Sequence, residues 1–270
     1  MIYFTFTIDG DWEEYYSTDL PAEKRKPEKK IFLAWLDKEL ALAARYLQGK
    51  FIHFIHTSPL ARDFFLQSEF IAKWQEIEAQ GGNVGLHCHE DQPHKAYYYD
   101  DAEKMKKAIG FLAAGLREKK ISPVANRAGY LAFSAKTIPI LEANNILLDF
   151  SCEPGRYLWH EKKLVSDWRG APDNIYRLDH NDHRRAGDSR VLEIPLAIYI
   201  ERDPLWRIWR KALALKRKGG FQIVSVLTHS YEYNSFWRRV KIKLAILILK
   251  RYGSFVGAKE IEKLAKGGKL

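Results

Sequence analysis

Short β-rich runs alternate with segments of helical apolar spacing along most of the chain, and this alternation constrains the fold more than any other feature. The β-rich runs lie at 2–8, 51–56, 83–89, 124–127, 146–150, 191–199 and 221–227. The helical segments lie at 27–47, 68–79, 102–119, 135–144 and 204–218. Strands that alternate with helices favour a mostly parallel sheet, and this many pairs predicts closure into an α/β barrel.

The domain organisation follows from the same pattern. We expect one barrel over residues 1–235, with a long loop over 156–190. Residues 236–270 are predicted to form a basic, amphipathic helical segment on or next to the barrel.

Two cysteines, Cys88 and Cys152, are too few for a disulfide framework. The first residues run directly into an apolar alternating segment without a basic leader, so we expect a cytosolic protein. The sequence contains no apolar stretch of roughly 20 residues, the length needed to span a bilayer.

The positive charge is confined to the last quarter of the chain. Residues 1–200 hold 27 Lys/Arg against 29 Asp/Glu, whereas residues 201–270 hold 17 against 5, a net charge of +12. Segments 205–216 and 236–247 combine these cations with tryptophan and aliphatic residues, a pattern typical of contact with anionic lipid headgroups. A barrel helix with a solvated basic face is the alternative, and no nucleic-acid motif accompanies the charge.

Several residues capable of chemistry lie at the C-terminal ends of predicted strands, where parallel α/β folds collect functional side chains. They are Asp9, Asp11, His87, His89, Arg127, Asp149 and His229. Each one alone has an ordinary explanation, such as a solvated charge or a core histidine, so the hypothesis depends on the set.

Two histidines in this set point to a metal. His87 and His89 are two residues apart on a strand, so both imidazoles project from one face. With a carboxylate from another strand they would bind Zn²⁺, with Co²⁺, Ni²⁺ or Fe²⁺ as alternatives, and leave positions open for water and substrate. His53 and His56 are three apart and point to opposite faces, and we interpret them as structural.

Taken in order, these motifs resemble the polysaccharide deacetylase (NodB-homology) superfamily. The matching segments are 7–11 (TIDGD), 85–89 (GLHCH), 126–130 (NRAGY), 148–151 (LDFS) and 227–230 (LTHS). The stretch from 127 to 155 is the most specific, and it is similar to a bacterial subgroup that accompanies surface-polysaccharide genes.

The resemblance implies a distorted (β/α) barrel with one divalent metal. By position, Asp11 matches a metal ligand, Asp9 the general base and Arg127 the arginine that orients this base. Asp149 matches an acid that tunes a catalytic histidine, and His229 matches the general acid.

The second motif departs from the family pattern. Most members carry histidines four residues apart, but the residue four after His87 is Asp91. The expected ligands are therefore Asp11, His87 and His89, with Asp91 or His94 as a further ligand to be tested.

This set suits amide hydrolysis, because an amide needs a strong nucleophile and a proton for its departing nitrogen. The predicted function is removal of an acyl group from an N-acylated sugar, in a polysaccharide or a lipid-linked precursor. Two alternatives are a catalytically silent carbohydrate- or lipid-binding barrel and a hydrolase of cyclic amides.

Overall fold

The computed structural model describes residues 1–17, 19–58, 60–61, 63–89, 99–160 and 163–265. Its strands are β1 (Ile2–Asp9), β2 (Ile52–His56), β3 (Asn83–Cys88), β4 (Ala125–Ala128), β5 (Leu148–Asp149), β6 (Tyr157–His160), β7 (Lys163–Asp167), β8 (Tyr176–Arg177), β9 (Leu192–Glu193), β10 (Leu196–Tyr199), β11 (Gln222–His229) and β12 (Ser254–Phe255). Its α-helices are α1 (Lys29–Leu47), α2 (Ser68–Ala79), α3 (Ala102–Glu118), α4 (Ile138–Ala143), α5 (Leu205–Lys218), α6 (Phe236–Leu249) and α7 (Ala258–Leu264).

The main sheet has the strand order β10-β11-β1-β2-β3-β4-β5-β9-β8, and β12 pairs with β1. All of these pairs are parallel except β8 with β9. The sheet curls into part of a barrel, so the predicted distorted (β/α) barrel is confirmed.

Burial on both faces explains the composition of the central strands. Every residue of β11 is buried, as are all but one of β1, which is why both strands are nearly continuous runs of aromatic and β-branched residues. Helix α1 covers the sheet with Phe32, Leu36, Leu40 and Ala43, spaced three or four residues apart so that they share one face.

Two predictions about the middle of the chain are wrong in detail. The run at 191–199 forms two strands, because Pro195 lacks the N–H that a continuous strand would donate. Of the two, β9 pairs with β5 whereas β10 pairs with β11. The segment at 156–190 is not only loop, since it contains the β6–β7 hairpin and β8.

The C-terminal part packs against the rest of the chain. Helix α6 contacts α5 and α1, and it buries Ile242, Ala245, Ile246 and Leu249. Within the described ranges, no helix has the length and apolar character required to cross a membrane.

The packing of α6 predicts unequal effects for two neighbouring residues. Ile246 is fully buried, and Ile246→Ala should lower the free energy of unfolding by about 2–5 kcal/mol because it leaves a cavity. Leu247 is 40% exposed, so Leu247→Ala should cost less than about 1 kcal/mol. Urea denaturation measures both values, and equal losses would contradict the observed orientation of α6.

Candidate active site

Strand register gathers the predicted residues at one end of the sheet. Asp9 on β1 lies beside His229 on β11, and His87 on β3 lies between His56 on β2 and Arg127 on β4. Because these pairs are parallel and in register, strand ends distant in sequence meet at one rim. A cavity of about 300 Å³ opens there, lined by both aspartates, His87, His89 and His229.

The predicted metal ligands form a buried cluster. Asp11 Oδ1 lies 3.4 Å from His87 Nε2 and 3.8 Å from His89 Nε2, and the two Nε2 atoms are 3.0 Å apart. In a tetrahedral zinc site with bonds of about 2 Å, ligand atoms are about 3.3 Å apart. One divalent ion therefore fits between these three atoms.

Hydrogen bonding supports this ligand set. His87 Nδ1 lies 3.1 Å from the Arg127 carbonyl oxygen, which can only accept, so Nδ1 carries the proton and the Nε2 lone pair is available to a metal. Asp11 Oδ1 is buried, and no described residue donates a hydrogen bond to it. A carboxylate oxygen left without a partner in a buried cluster of imidazoles is a site for a cation.

His56 also lies in the cluster, so the interpretation of this residue as merely structural is wrong. Ligand atoms of Asp11, His56 and His89 lie within 4.8 Å of one another. The His56 ring is fully buried and stacks on the His89 ring at 4.5 Å.

The hydrogen bonding of His56 differs from that of the predicted ligand His87. Its Nδ1 accepts a hydrogen bond from the Ser58 backbone N–H at 3.2 Å. Burial and the neighbouring His89 hold the pKa of His56 well below its usual value, so the ring is neutral and the proton is on Nε2. That nitrogen lies 3.7 Å from Asp11 Oδ1, and no described residue accepts a hydrogen bond from it, so we expect His56 to stabilise the Asp11 carboxylate electrostatically.

His53, in contrast, is structural as predicted. Its Nδ1 lies 2.8 Å from the buried Glu39 carboxylate, and its ring stacks on Trp74.

Tyr16 is a site residue that the strand-end argument missed, because it lies in a short 3₁₀ turn after β1. Its hydroxyl donates to Asp11 Oδ2 at 2.9 Å. Burial and the charge of Asp11 raise the pKa of Tyr16 well above its usual value, so it remains a neutral donor.

Arg127 holds Asp9 in place. Its Nη1 donates to Asp9 Oδ1 and to Thr7 Oγ1, each at 2.8 Å, and its Nε donates to the Phe150 carbonyl at 3.0 Å. The other carboxylate oxygen of Asp9, Oδ2, lies 3.9 Å from His87 Nε2. One oxygen of Asp9 is thus fixed by the arginine, and the other faces the predicted ligand His87.

Asp149 lies in a different network from the one predicted. It accepts hydrogen bonds from Asn126 Nδ2 at 2.5 Å and from the Ser151 backbone at 3.1 Å. Burial and the adjacent Asp149 raise the pKa of Glu193 well above its usual value. Asp149 therefore supports β4 and β9.

The carboxylates next to His229 are Glu201 and Glu232. His229 Nδ1 lies 3.4 Å from Glu201 Oε2 and 3.9 Å from Glu232 Oε2, and Tyr231 stacks on the ring. Although burial opposes a charge on His229, Tyr199 and Glu201 raise its pKa well above the usual value. The hydrogen bond to His229 in turn lowers the pKa of Glu201 to about 2.

The turn after β4 is shaped by close packing. A Cβ at Gly129 would lie 2.4 Å from the Tyr99 hydroxyl and 2.5 Å from His89 Cε1, so only glycine fits. Tyr130 follows with φ +56°, an uncommon conformation that brings its ring to 5.4 Å from the His89 ring.

Asp91 and His94, the further ligands to be tested, lie outside the described residues.

Comparison with solved structures identifies the architecture. No protein-family model matches the sequence, and a search of curated proteins gives no match. A structure from Mycobacterium smegmatis, provisionally described as a polysaccharide deacetylase, matches with a TM-score of 0.69 and 18% identity over 100% of this chain and 91% of the other.

The chain has the fold of the polysaccharide deacetylases.

Two further matches cover nearly the whole chain. A protein from Parabacteroides distasonis, provisionally described as a glycoside hydrolase or deacetylase, gives a TM-score of 0.64 at 12% identity over 98% of this chain and 71% of the other. A CE4-family pseudoenzyme from Bacillus anthracis gives 0.52 at 9% identity over 96% and 64%. The fold thus occurs with and without activity.

The cluster predicts a specific pattern of metal loss. The protein should bind about one divalent ion, and Asp11→Ala, His87→Ala and His89→Ala should abolish binding because each removes a ligand. His56→Ala should keep the stoichiometry while lowering affinity by about 10–100-fold, as expected for a residue that supports a ligand.

Elemental analysis gives the stoichiometry, and competition with a chelating dye gives the affinity. His180→Ala is the matched control, since His180 is exposed and pairs with Glu142. If His56→Ala abolishes binding at saturating metal, His56 is a ligand and its assigned tautomer is wrong.

Gly129 provides a second test of the cluster. Gly129→Ala should push His89 aside and weaken metal binding by about tenfold or more. The effect would be indirect, because neither glycine nor alanine has a side chain that binds a metal ion. Gly110→Ala in α3 is the control, because a Cβ there meets nothing within 4 Å. Equal metal affinities in the two variants would contradict the close packing at Gly129.

Proposed function

We propose that this protein is a metal-dependent amide hydrolase that removes an acyl group from an N-acylated sugar, in a polysaccharide or a lipid-linked glycan precursor. One observation carries the proposal: a carboxylate and a histidine both border the metal cluster. Asp9 Oδ2 lies 3.9 Å from Nε2 of the proposed ligand His87, and His229 Nε2 lies 3.9 Å from Oδ2 of the proposed ligand Asp11.

A divalent ion at Asp11, His87 and His89, with Zn²⁺ expected first, would polarise the amide carbonyl and lower the pKa of the attacking water. Asp9 can then accept a proton from this water. Its Oδ1 is neutralised by Arg127, and its Oδ2 faces the cluster. The buried arginine also keeps this carboxylate from being displaced into solvent.

His229 supplies the proton that the departing nitrogen needs. With Nδ1 directed to Glu201, the Nε2 atom faces the cavity and lies 3.4 Å from the Tyr199 hydroxyl. The raised pKa of His229 keeps this proton in place until a more basic amine forms. Base and acid thus occupy separate positions on neighbouring strands β1 and β11.

The cavity wall supports a sugar as substrate. Tyr16, Tyr130, Tyr199 and Tyr231 line it together with Leu131 and Leu227. Aromatic faces and hydroxyl groups together suit the alternating apolar and polar surfaces of a pyranose. Two of the solved structures with this fold carry descriptions as deacetylases, which favours an N-acylated sugar over a cyclic amide.

A silent binding barrel is the rival, since one neighbour is a pseudoenzyme. The presence of ligands, base and acid together favours a hydrolase in this chain.

We place the enzyme in the cytoplasm, peripheral to the inner face of a membrane.

Variants of the base and the acid test the proposal. Asp9→Asn and His229→Ala should retain the metal and lose about 10²-fold or more in turnover, because each removes one proton-transfer group. Acetate release from N-acetylglucosamine oligosaccharides is the assay. Asp188→Asn and His180→Ala, both outside the cavity, are the matched controls. Near-wild-type turnover in either site variant would remove that residue from the mechanism.

A further inference from the structure

The surface formed by α5 and α6 is unlike the rest of the molecule. The two helices pack on each other, and together they contain ten basic residues, six in α5 and four in α6, and no Asp or Glu. Several large apolar side chains on them are exposed, which a solvated helix face would not require. They are Trp206, Trp209, Phe236, Trp237, Leu244 and Leu247.

The apolar side chains of α6 follow helical spacing. Trp237, Leu244 and Leu247 are separated by seven and three residues and therefore lie on one outward face. Trp237 is 76% exposed, and exposed Lys243 adjoins this face. An outward apolar stripe flanked by cations is the arrangement of helices that lie in the headgroup region of a bilayer.

Part of the basic charge on these helices is not neutralised by a carboxylate within the described residues, although Arg210 lies over the Trp206 ring and Lys243 over the Tyr46 ring. Lys211 pairs with Asp203 and Arg238 with Glu13. Arg210, Arg217 and Lys243, in contrast, form no ion pair with any residue in the described ranges, and all three are exposed. Their charge is therefore available to an external anion.

This surface adjoins the entrance of the candidate active site. Lys241 Nζ donates to the Glu201 carbonyl at 2.9 Å, and the Glu201 carboxylate faces His229. The Arg238 guanidinium lies 5.7 Å above the Tyr231 ring, which stacks on His229. Helices α5 and α6, with exposed aromatic residues in their first turns, follow β10 and β11 after short turns, and Tyr199 and His229 at the ends of these strands line the cavity.

We propose that the α5–α6 surface docks on an anionic lipid bilayer and holds the cavity entrance near the membrane surface. Lipid is favoured over nucleic acid because the outward stripe on α6 is aliphatic as well as aromatic, and Leu244 and Leu247 offer nothing to a base or a phosphate. The orientation would give the site access to headgroups that project from the bilayer.

Vesicle cosedimentation tests the proposal without substrate or metal. The full chain should bind vesicles of phosphatidylcholine with 30% phosphatidylglycerol, bind pure phosphatidylcholine at least tenfold more weakly, and be released by salt. The double variant Arg210→Gln/Lys243→Gln should bind acidic vesicles about tenfold or more weakly, because each lost cation weakens attraction to the anionic surface. Trp237→Ser/Leu244→Ser should weaken binding to acidic vesicles at low salt even though it removes no charge, because it removes apolar contact with the bilayer.

The matched control is Lys106→Gln/Lys107→Gln, which removes two exposed cations from α3 on the β3 side of the sheet. Equal losses in this control would mean that net charge alone drives binding, and would overturn the proposal. It would also fail if wild-type protein bound both vesicle types equally or neither. Binding to a single-stranded oligonucleotide in place of vesicles, or a dimer lost in Trp237→Ser/Leu244→Ser, would assign the surface to nucleic acid or to a second copy.

Discussion

The buried ion pair of Arg127 and Asp9 is the interaction on which the rest of the site depends. Both side chains are almost wholly removed from water, and the guanidinium carbon lies 4.9 Å from the centroid of the Phe54 ring and 5.7 Å from that of the Phe150 ring. A charge in such a position is tolerated only when it is paired and hydrogen-bonded, and here Nη1 also donates to Thr7 and Nε to the Phe150 carbonyl. The pair joins β4 to β1 across the curled sheet. It therefore fixes the position of Asp9, the proposed general base, relative to β4.

Strand-end reasoning succeeded where the chain supplies residues from regular strands. The register that pairs Asp9 with His229 and His87 with Arg127 follows from a parallel sheet, so residues far apart in sequence could be grouped without a structure. His56 was missed because we judged it by its spacing from His53 alone. The position of β2 next to β3 would have placed it beside His87.

The strand pattern could not place Tyr16, Glu201 or Glu193, because they lie on turns or on an interrupted strand. Tyr16 reaches Asp11 from a 3₁₀ turn, and Glu201 reaches His229 from the turn after β10, and neither position follows a periodic pattern. The environment of Asp149 depended on Glu193, whose strand pairs with β5 only because Pro195 divides the run that the sequence showed as continuous. The positions of side chains on turns and on interrupted strands can be found only from the three-dimensional structure.

The last quarter of the chain contains both His229, the proposed general acid, and helices α5 and α6, which form the proposed membrane-docking surface. Tyr231 and Glu232 lie next to the His229 side chain, and the exposed Phe236 and Trp237 of α6 follow them within a few residues. Glu201 similarly precedes α5, and its backbone carbonyl is bound by Lys241 of α6. A shift of α6 on a surface would therefore reach His229, the proposed general acid, through Lys241 and Glu201. The proposed ligands His87 and His89, in contrast, lie on and just after β3, which β1 and β2 separate from β11. Proton donation, rather than metal binding, is the part of the site most directly coupled to whatever contacts these helices.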